Sequence, residues 1–397
     1  MSTVRRLIPT VSILFAVLAG GLWLGGHPQF LPAFLRHAVV DDKTDAVAEA
    51  IEKVQDVYYR PVGGQQLTDT AIKGMVAGLG DRFSNYFTPK EYRAFQQDQH
   101  SQFSGIGMAV SEDPKGLLVN QVYDASPAER VGIRQGDIIT AAKGRSLQGL
   151  PQLRSTQIIK GPPGSEIRLT FERKGRPRTV TATRATISVP MVASKIFKKD
   201  GKRIGVVGLA QFGSGAHAEV YAALQSLKKK GAKAFVFDLR GNGGGLVSEA
   251  QLIASAFIRS GPIVTTKGRA VPARTLNATG DALVPTAPLV VLVDRGTASA
   301  SEIVAGALQD TGRAKVVGTR TFGKGVFQQV LELSDGGALD ITAGQYFTPK
   351  GRNLGGRGVK TGAGIAPDIT AKDDLDTRTR DEGLDKALAV VAKVPTS

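Results

Sequence analysis

The sequence predicts an α/β protein that carries a separate β-rich module. From about residue 203 onward, short apolar segments alternate with segments whose apolar residues recur every three or four positions. This alternation is typical of helices layered on a largely parallel sheet. Between residues 101 and 186 the strand-like segments are short, and Gly and Pro separate them. The two textures indicate that the β-rich module precedes the α/β core.

The same patterns predict the individual elements. Amphipathic spacing predicts helices at 43–59 and 68–79, the second with Thr68 as a candidate N-cap. In the β-rich module, strands are predicted at 116–122, 137–139, 166–172 and 178–183. In the core, strands are predicted at 204–210, 234–239, 289–294 and 314–318. Core helices are predicted at 216–230, 246–258 and 299–311, and a last helix at 381–393.

Composition and charge exclude several classes of function. The chain has 397 residues and no cysteine, so disulfides, thiolate metal sites and a cysteine nucleophile are excluded. The four histidines are scattered without metal-ligand spacing, so we expect no metal and no cofactor. The net charge is +16, with a basic stretch at 143–184. No nucleic-acid-binding motif accompanies it, and we interpret it as a solvated face near an anionic envelope surface.

The amino terminus has the pattern of an export segment. Arg5 and Arg6 precede an almost wholly apolar run at 7–24. Basic residues before such a run direct it into the membrane, with its start in the cytoplasm. An uncleaved anchor is favoured over a signal peptide cleaved after Ala19, and a buried core helix is the third alternative. In the first two cases the body of the protein lies in the periplasm or otherwise outside the cytoplasm.

Two partial motifs suggest other enzymes but lack essential parts. Residues 318–324 match the phosphate-binding pattern G-x-x-x-x-G-K, but Gly325 stands where a magnesium-binding Ser or Thr is required. Residues 226–229 match S-x-x-K of penicillin-binding proteins, but the S-D-N element is absent and the segment is lysine-rich. The sequence also contains no G-x-S-x-G elbow. An NTPase, a penicillin-binding protein and an α/β-hydrolase are therefore disfavoured.

Three further segments form a consistent constellation. A predicted strand ends in the glycine run of DLRGNGGG at 238–245, which exposes backbone N–H groups. The strand at 289–294 leads to GTASASEI at 296–303, where a helix is predicted to begin. Ser299 at this corner lies beside free helix N–H donors. Lys324 follows in TFGKGVFQ at 321–328, with a glycine on each side.

In this order and spacing, the three segments resemble those of the C-terminal processing peptidases, also called tail-specific proteases. The resemblance extends over residues 45 to 375 and implies a crotonase-like protease core that acts through a Ser–Lys dyad. By position, Ser299 corresponds to the nucleophile and Lys324 to the general base. Gln328 corresponds to the residue that orients the lysine. Gly245 and Ala300 correspond to the oxyanion-hole residues.

The residue chemistry agrees with this assignment and leaves rivals to consider. A serine hydroxyl needs a base, and no histidine lies in the three segments. His217 is predicted at a helix start, as a surface or capping residue. Lys324 can accept a proton only if burial lowers its pKa. Ser301 is the rival nucleophile, but it lies two residues into the helix, while Glu302 is expected to cap the first turn.

Gln328 raises a geometric difficulty. Four residues of straight strand span about 13 Å, which is too far for a contact with Lys324. We therefore expect a turn or bulge across the Gly-Lys-Gly at 323–325.

The β-rich module also resembles a known domain. The stretch 103–108 is similar to the carboxylate-binding loop of PDZ domains, and 124–139 is similar to the stretch that such domains share. The resemblance implies that Gly105, Ile106, Gly107 and Met108 bind the C-terminus of a peptide, which adds as a strand. A β-sandwich with unrelated glycines is the alternative.

These observations predict a serine endopeptidase of the cell envelope that binds the C-terminal tails of protein or peptide substrates and cleaves near that end. An inactive tail-binding scaffold and an acyl-CoA enzyme are the alternatives. Helices 43–59 and 381–393 could form a homo-oligomer or could only cover the core. The expected organisation is a signal or anchor (1–26), a helical region (27–97), a PDZ domain (98–186), a protease core (187–375) and a C-terminal helix (376–397).

Overall fold

The computed structural model describes residues 42–99, 102–355, 364–372 and 381–395. The chain divides into two compact units after Gly80. The first unit contains helices α1 (Asp42–Val57) and α2 (Gly64–Ala77), as the amphipathic spacing predicts. The predicted N-cap at Thr68 is wrong, because Gly63 provides the extended cap conformation and α2 begins one turn earlier. The predicted anchor at 7–24 lies outside the described residues.

The second unit contains the remaining elements. Its helices are α3 (Pro89–Gln99), α4 (Pro127–Arg130), α5 (Gln152–Ile159), α6 (Ala216–Lys229), α7 (Val247–Ser255), α8 (Ala300–Asp310) and α9 (Glu382–Lys393). Its first strands are β1 (Asn85–Phe87), β2 (Gln102–Gly105), β3 (Met108–Asp113), β4 (Gly116–Val122), β5 (Ile138–Ala142), β6 (Arg145–Ser146), β7 (Glu166–Arg173), β8 (Arg176–Thr183) and β9 (Ala185–Ser188). Its later strands are β10 (Val192–Lys199), β11 (Lys202–Leu209), β12 (Ala234–Asp238), β13 (Pro262–Gly268), β14 (Arg274–Asn277), β15 (Leu289–Val293), β16 (Lys315–Gly318), β17 (Val326–Glu332), β18 (Ala338–Phe347) and β19 (Ile369–Thr370). None of the helices within the described ranges is both long and apolar enough to cross a bilayer.

A six-stranded sheet in the order β10-β11-β12-β15-β16-β19 forms the centre of the core. All its pairings are parallel except that of β10 with β11, as the alternating pattern predicts. Side chains alternate between the two faces of each strand. Val291 packs with α6, α7 and α8 on one face, while Val290 and Leu292 pack with α9 on the other. Both faces are therefore covered, which explains why β15 is apolar throughout.

A second sheet is antiparallel and was not predicted. Its strands follow the order β1-β18-β13-β14, and β17 also pairs with β18. Strand β1 comes from a point before the β-rich module, yet it pairs with β18 near the end of the core, with Asn85 opposite Asp340. The segment before β1 is thereby brought beside the loop that carries Lys324.

The β-rich module is a six-stranded antiparallel sheet with strands in the order β3-β4-β5-β7-β8, and β6 pairs with β5. The predicted strands at 116–122, 166–172 and 178–183 lie within one or two residues of the observed ones. Helices α4 and α5 contribute side chains to its core, which is separate from that of the α/β sheet. Strands β2 and β9 pair with each other where the chain enters and leaves the module. The predicted α/β class with a β-rich module and N-terminal helices is therefore confirmed.

Candidate active site

Ser299 lies at the turn between β15 and α8. Its backbone has φ +56° and ψ −117°, a conformation that few residues other than glycine adopt. Such strain costs on the order of 1–3 kcal/mol and persists only where neighbouring contacts impose it. Here the Ser299 N–H donates to Glu302 Oε2 at 2.9 Å, and the Ile303 N–H donates to the Ser299 carbonyl at 3.0 Å. The turn holds a serine at the carboxyl edge of the sheet, where α8 begins.

Asn242, in the glycine run after β12, fixes this corner to the neighbouring loop. Its side chain is fully buried, and its Oδ1 accepts a hydrogen bond from the Gly244 N–H at 2.9 Å. Its carbonyl oxygen accepts from the Ala298 N–H at 3.0 Å and from Ser301 Oγ at 2.9 Å. Because its hydroxyl is buried and already donated, Ser301 is a poor rival nucleophile. The sequence analysis did not assign Asn242 a role, although an asparagine within a glycine run was a visible signal.

The glycine run approaches the serine too closely for any side chain. A Cβ atom on Gly244, where φ is +106°, would lie 2.8 Å from Ser299 Cβ and 3.0 Å from the Ala300 nitrogen. A Cβ on Gly245, where φ is +142°, would lie 2.4 Å from the Phe212 carbonyl oxygen. Only glycine permits this approach, which brings the two loops together at Ser299.

Two backbone N–H groups remain available at this junction. Among the described residues, neither the Gly245 N–H nor the Ala300 N–H donates a hydrogen bond, whereas the N–H of the preceding Gly244 is already donated to Asn242. The Ala300 N–H is also at the N-terminus of α8, where the helix dipole favours negative charge. Ala300 directly follows Ser299, and Gly245 directly follows Gly244, whose added Cβ would lie 2.8 Å from Ser299 Cβ. The oxyanion-hole role of the two N–H groups stays a prediction.

Glu302 joins the serine corner to the lysine loop. Its buried carboxylate accepts hydrogen bonds from the Ser299 and Lys324 N–H groups on Oε2, both at 2.9 Å. Its Oε1 accepts from Thr321 Oγ1 at 2.5 Å and from the Gly323 N–H at 2.8 Å. The predicted first-turn capping role is confirmed, but the bonds to the lysine loop were not predicted. One oxygen atom thus holds the backbones of Ser299 and Lys324 together.

The side chain of Lys324 lies in a largely buried, partly aromatic environment. Burial lowers the pKa of Lys324, while the negative charges of Asp340 and Asp81 work in the opposite direction. Its Nζ lies 5.1 Å from the centre of the Phe83 ring. A lysine with a lowered pKa is neutral over a wider pH range and can accept a proton there. This is the property that a general base requires.

Gln328 lies on β17 immediately after an irregularity in the pairing of β17 with β18, between Phe327 and Gln328. This irregularity lies beyond the segment 323–325, for which a turn or bulge was predicted and which precedes β17. The Gln328 Nε2 donates to Thr342 Oγ1 at 3.1 Å, so this side chain bonds to β18. Orientation of Lys324 by Gln328 stays a prediction.

Tyr346 is a neighbour of Ser299 that the sequence analysis missed. Its side chain is buried, and burial raises the pKa of its phenol well above the usual range, although a hydrogen bond with Ser299 lowers it. A phenol with a raised pKa stays protonated at neutral pH and cannot serve as the base. Tyr346 lies on β18, outside the three motifs, which explains why no local pattern indicated it.

His217 lies in the first turn of α6. Its Nδ1 and its backbone N–H both contact Glu249 Oε2, each at 2.8 Å, and its side chain is 37% exposed. This pairing with Glu249 of α7 explains the position of the imidazole ring, so a catalytic role is not needed to explain it.

The predicted peptide-binding loop lines a cavity of the β-rich module. Gly105, Ile106, Gly107 and Met108 border it on one side, and Thr156 and Ile159 of α5 face them. The walls are mainly apolar, and the loop precedes β3, whose edge is the side on which a peptide strand would add. The geometry therefore provides a small apolar pocket next to the loop.

Comparisons with known proteins agree with this arrangement. Residues 203–371 match the model of peptidase family S41, and residues 104–183 match that of the PDZ domain. A probable CtpA-like serine protease of Staphylococcus aureus is 35% identical over 336 residues, which cover 83% of this chain and 66% of that protein. Its Staphylococcus saprophyticus counterpart is 33% identical over 320 residues, which cover 80% of this chain and 64% of that protein. The chain thus spans less than two thirds of the length of these relatives.

Solved structures show the same fold. The photosystem II D1 C-terminal processing protease is 28% identical with a TM-score of 0.51, and the match covers 90% of this chain and 99% of that one. A putative S41 protease from Bacteroides fragilis has a TM-score of 0.54 at 18% identity, with 87% and 97% covered, and supports the fold alone. The sequence relatives, the family models and the site geometry agree: the chain belongs to peptidase family S41 and contains a PDZ domain.

Proposed function

We propose that the protein is a serine endopeptidase in which Ser299 is the nucleophile and Lys324 the general base. The observation that carries the proposal is the Glu302 carboxylate, one oxygen of which accepts the backbone N–H groups of both residues at 2.9 Å. This carboxylate thus holds the backbone of the strained serine beside that of the largely buried lysine. Nucleophile, base and oxyanion donors together are the parts that acyl transfer requires.

The reaction follows from these positions. Ser299 Oγ attacks the carbonyl carbon of the scissile peptide bond as its proton passes to Lys324 Nζ. The oxygen of the tetrahedral intermediate becomes negative and is held by the Gly245 and Ala300 N–H groups. The C–N bond then breaks, and Lys324 returns the proton to the departing amine. A water molecule, deprotonated by Lys324, attacks the acyl-enzyme, which releases the new C-terminal carboxylate and restores Ser299.

The purified protein tests this proposal directly. We expect an unfolded protein incubated with it to yield peptides identified by mass spectrometry, and the Ser299→Ala variant to yield none. His217→Ala is the matched control, since His217 contacts Glu249 and not the dyad. Its cleavage rate should stay within about twofold of the wild type. Cleavage that survives Ser299→Ala, or that is lost in His217→Ala, would contradict the assignment.

We also propose that substrates are selected by their C-terminal tails, with the carboxylate held at residues 105–108. The loop and the apolar cavity beside it support this proposal. A set of charge-assisted hydrogen bonds is worth about 1.5–3 kcal/mol, so amidation of the C-terminus of a peptide should weaken its cleavage by roughly 10- to 150-fold. Equal cleavage of amidated and free peptides would exclude tail recognition.

The location of the protein is the third proposal. Arg5, Arg6 and the apolar run at 7–24 support a membrane anchor with the catalytic part across the membrane from the cytoplasm, in the cell envelope. A reporter fused after Ser397 should be active only outside the cytoplasm. Activity confined to the cytoplasm would contradict this topology.

A further inference from the structure

The segment Asp81–Ser84 packs against the lysine loop although it lies outside both family matches, at 104–183 and 203–371. It leads into β1, which pairs with β18. The Phe83 ring centre lies 5.1 Å from Lys324 Nζ. The Arg82 guanidinium lies 5.2 Å from the Phe83 ring and 5.6 Å from the ring of Phe322 in the lysine loop. The side chains of this segment therefore cover Lys324 and part of its loop.

Asp81 fixes the conformation of the segment. Its Oδ1 accepts from the Phe83 N–H at 2.9 Å, and its Oδ2 accepts from Ser84 Oγ at 2.6 Å. Ser84 Oγ in turn accepts from the Thr342 N–H at 3.0 Å, and Thr342 Oγ1 accepts from Gln328 Nε2 at 3.1 Å. This path of hydrogen bonds joins Asp81 to Gln328, which is predicted to orient Lys324. The position of the Phe83 ring thus depends on contacts that also hold β18.

The groups around Lys324 have opposing electrostatic effects. An apolar ring that excludes water disfavours the ammonium form of a lysine, whereas the face of the ring attracts an ammonium. For Lys324 burial is the larger effect, since its pKa is lowered overall. The carboxylates of Asp81 and Asp340 favour the ammonium form. Burial raises the pKa of Asp340 overall, and the charge of Lys324 works in the opposite direction on both carboxyls. Glu302 also contacts this loop, through the Lys324 N–H. The balance between the ring and the charges decides how much of the amine is neutral.

We propose that Phe83 and Asp81 are positioning residues of the general base: Phe83 shields the Lys324 amine from water, and Asp81 holds Phe83 in place while supplying a nearby negative charge. The inference rests on the proposed role of Lys324. It extends the site to a segment that precedes the β-rich module, so the module is inserted between two parts of one catalytic centre.

The proposal predicts shifts of opposite sign in the pH dependence of kcat/KM. Phe83→Ala admits water to the amine, so the pH at which activity is half-maximal should rise by about one unit, with a roughly tenfold loss at neutral pH. Phe83→Leu keeps an apolar cover and should restore most of the wild-type profile. Asp81→Asn keeps an acceptor for the Phe83 N–H but removes the negative charge, so the midpoint should fall.

A labelling experiment measures the same quantity without catalysis. Competitive acetylation of Lys324 by acetic anhydride, followed over pH by mass spectrometry in a Ser299→Ala background, reports the fraction of neutral amine. Phe87→Ala is the matched control: the same substitution on β1, where the ring stacks on Phe95 at 4.9 Å and not on Lys324. Its labelling midpoint should equal that of the Ser299→Ala protein without a second substitution.

The outcomes separate this inference from the proposed function. Opposite shifts for Phe83→Ala and Asp81→Asn support it. Shifts in the same direction, or a Phe83→Ala midpoint equal to that of Phe87→Ala, would overturn it. If circular dichroism shows that Phe83→Ala does not fold, Asp81→Asn decides, and an unchanged or higher midpoint overturns the proposal. Failure of the proposed function would instead appear as wild-type protein without Ser299-dependent cleavage, whatever the labelling midpoints are.

Discussion

Replacing Glu302 with glutamine tests the carboxylate that joins the two halves of the dyad. Its Oε2 accepts the Ser299 and Lys324 N–H groups, and its Oε1 accepts Thr321 Oγ1 and the Gly323 N–H. In Glu302→Gln one of these oxygens becomes an NH₂ donor. If it faces Thr321, that hydroxyl can accept from it as well as from the Ile365 N–H and can turn its own proton elsewhere, so the Gly323 N–H is the one backbone donor of this set that loses its acceptor. The opposite orientation leaves two N–H groups without an acceptor and is less favourable.

The favourable orientation of the new side-chain amide determines the expected loss of stability. One buried N–H without an acceptor costs about 1–3 kcal/mol, so the free energy of unfolding measured in urea should fall by that amount. Cleavage should fall more than this stability loss explains, by an estimated tenfold or more, since the Lys324 loop is no longer held against Ser299 and small displacements are costly in catalysis. The measurements are urea unfolding and kcat/KM on one unfolded substrate, under conditions where the variant is fully folded.

A second buried glutamate provides the control. Glu249 accepts the Gly215 N–H at 2.9 Å and the His217 N–H at 2.8 Å, away from the dyad. Glu249→Gln should lower the free energy of unfolding by a similar amount and leave kcat/KM of the folded protein unchanged. Equal kcat/KM losses in the two variants, or full activity in Glu302→Gln, would refute the reasoning.

Three further predictions concern the same site. Gly244→Ala should lower the melting temperature and abolish cleavage, because the new Cβ would lie 3.0 Å from the Ala300 nitrogen at a φ of +106°. Gly243→Ala, where nothing lies within 4 Å of the new Cβ, should keep the melting temperature. The folded pKa of Lys324 lies below its unfolded value, so wild-type stability should rise with pH between the two values, and Lys324→Met should remove this rise in urea unfolding measured over pH. The double variant Ser299→Ala/Lys324→Ala should be little less active than either single variant, since the two residues act as one unit, and additive losses in kcat/KM would contradict this.

Local periodicity was sufficient to predict the α/β sheet. Residues 234–237 and 289–293 are continuous apolar runs because helices cover both faces of the sheet, and the structure places strands β12 and β15 there. Helices α6 and α8 were predicted within one or two residues, since each has an apolar face and ends near a glycine. These signals lie within each segment, so they can be read without knowing what packs against it.

Long-range pairing explains most of what was missed. The antiparallel sheet joins β1 to β18, which are separated by the whole β-rich module, and nothing in residues 81–87 alone indicates this partner. The contact of Tyr346 with Ser299 depends on the same sheet. Glu302 has the pattern of an ordinary capping residue, and its bonds to Gly323 and Lys324 exist only because the two loops meet. Sequence motifs indicated the proposed reacting groups, whereas the residues that hold their backbones required the structure.

The most direct test of the central claim is the pH profile of cleavage by Lys324→Arg. An arginine keeps the positive charge and much of the length of the side chain, but its guanidinium does not lose a proton at accessible pH. If Lys324 is the general base, wild-type kcat/KM should rise with pH to a plateau, and Lys324→Arg should show no cleavage above that of Ser299→Ala at any pH. Lys324→Arg with cleavage comparable to the wild type would contradict the Ser–Lys mechanism.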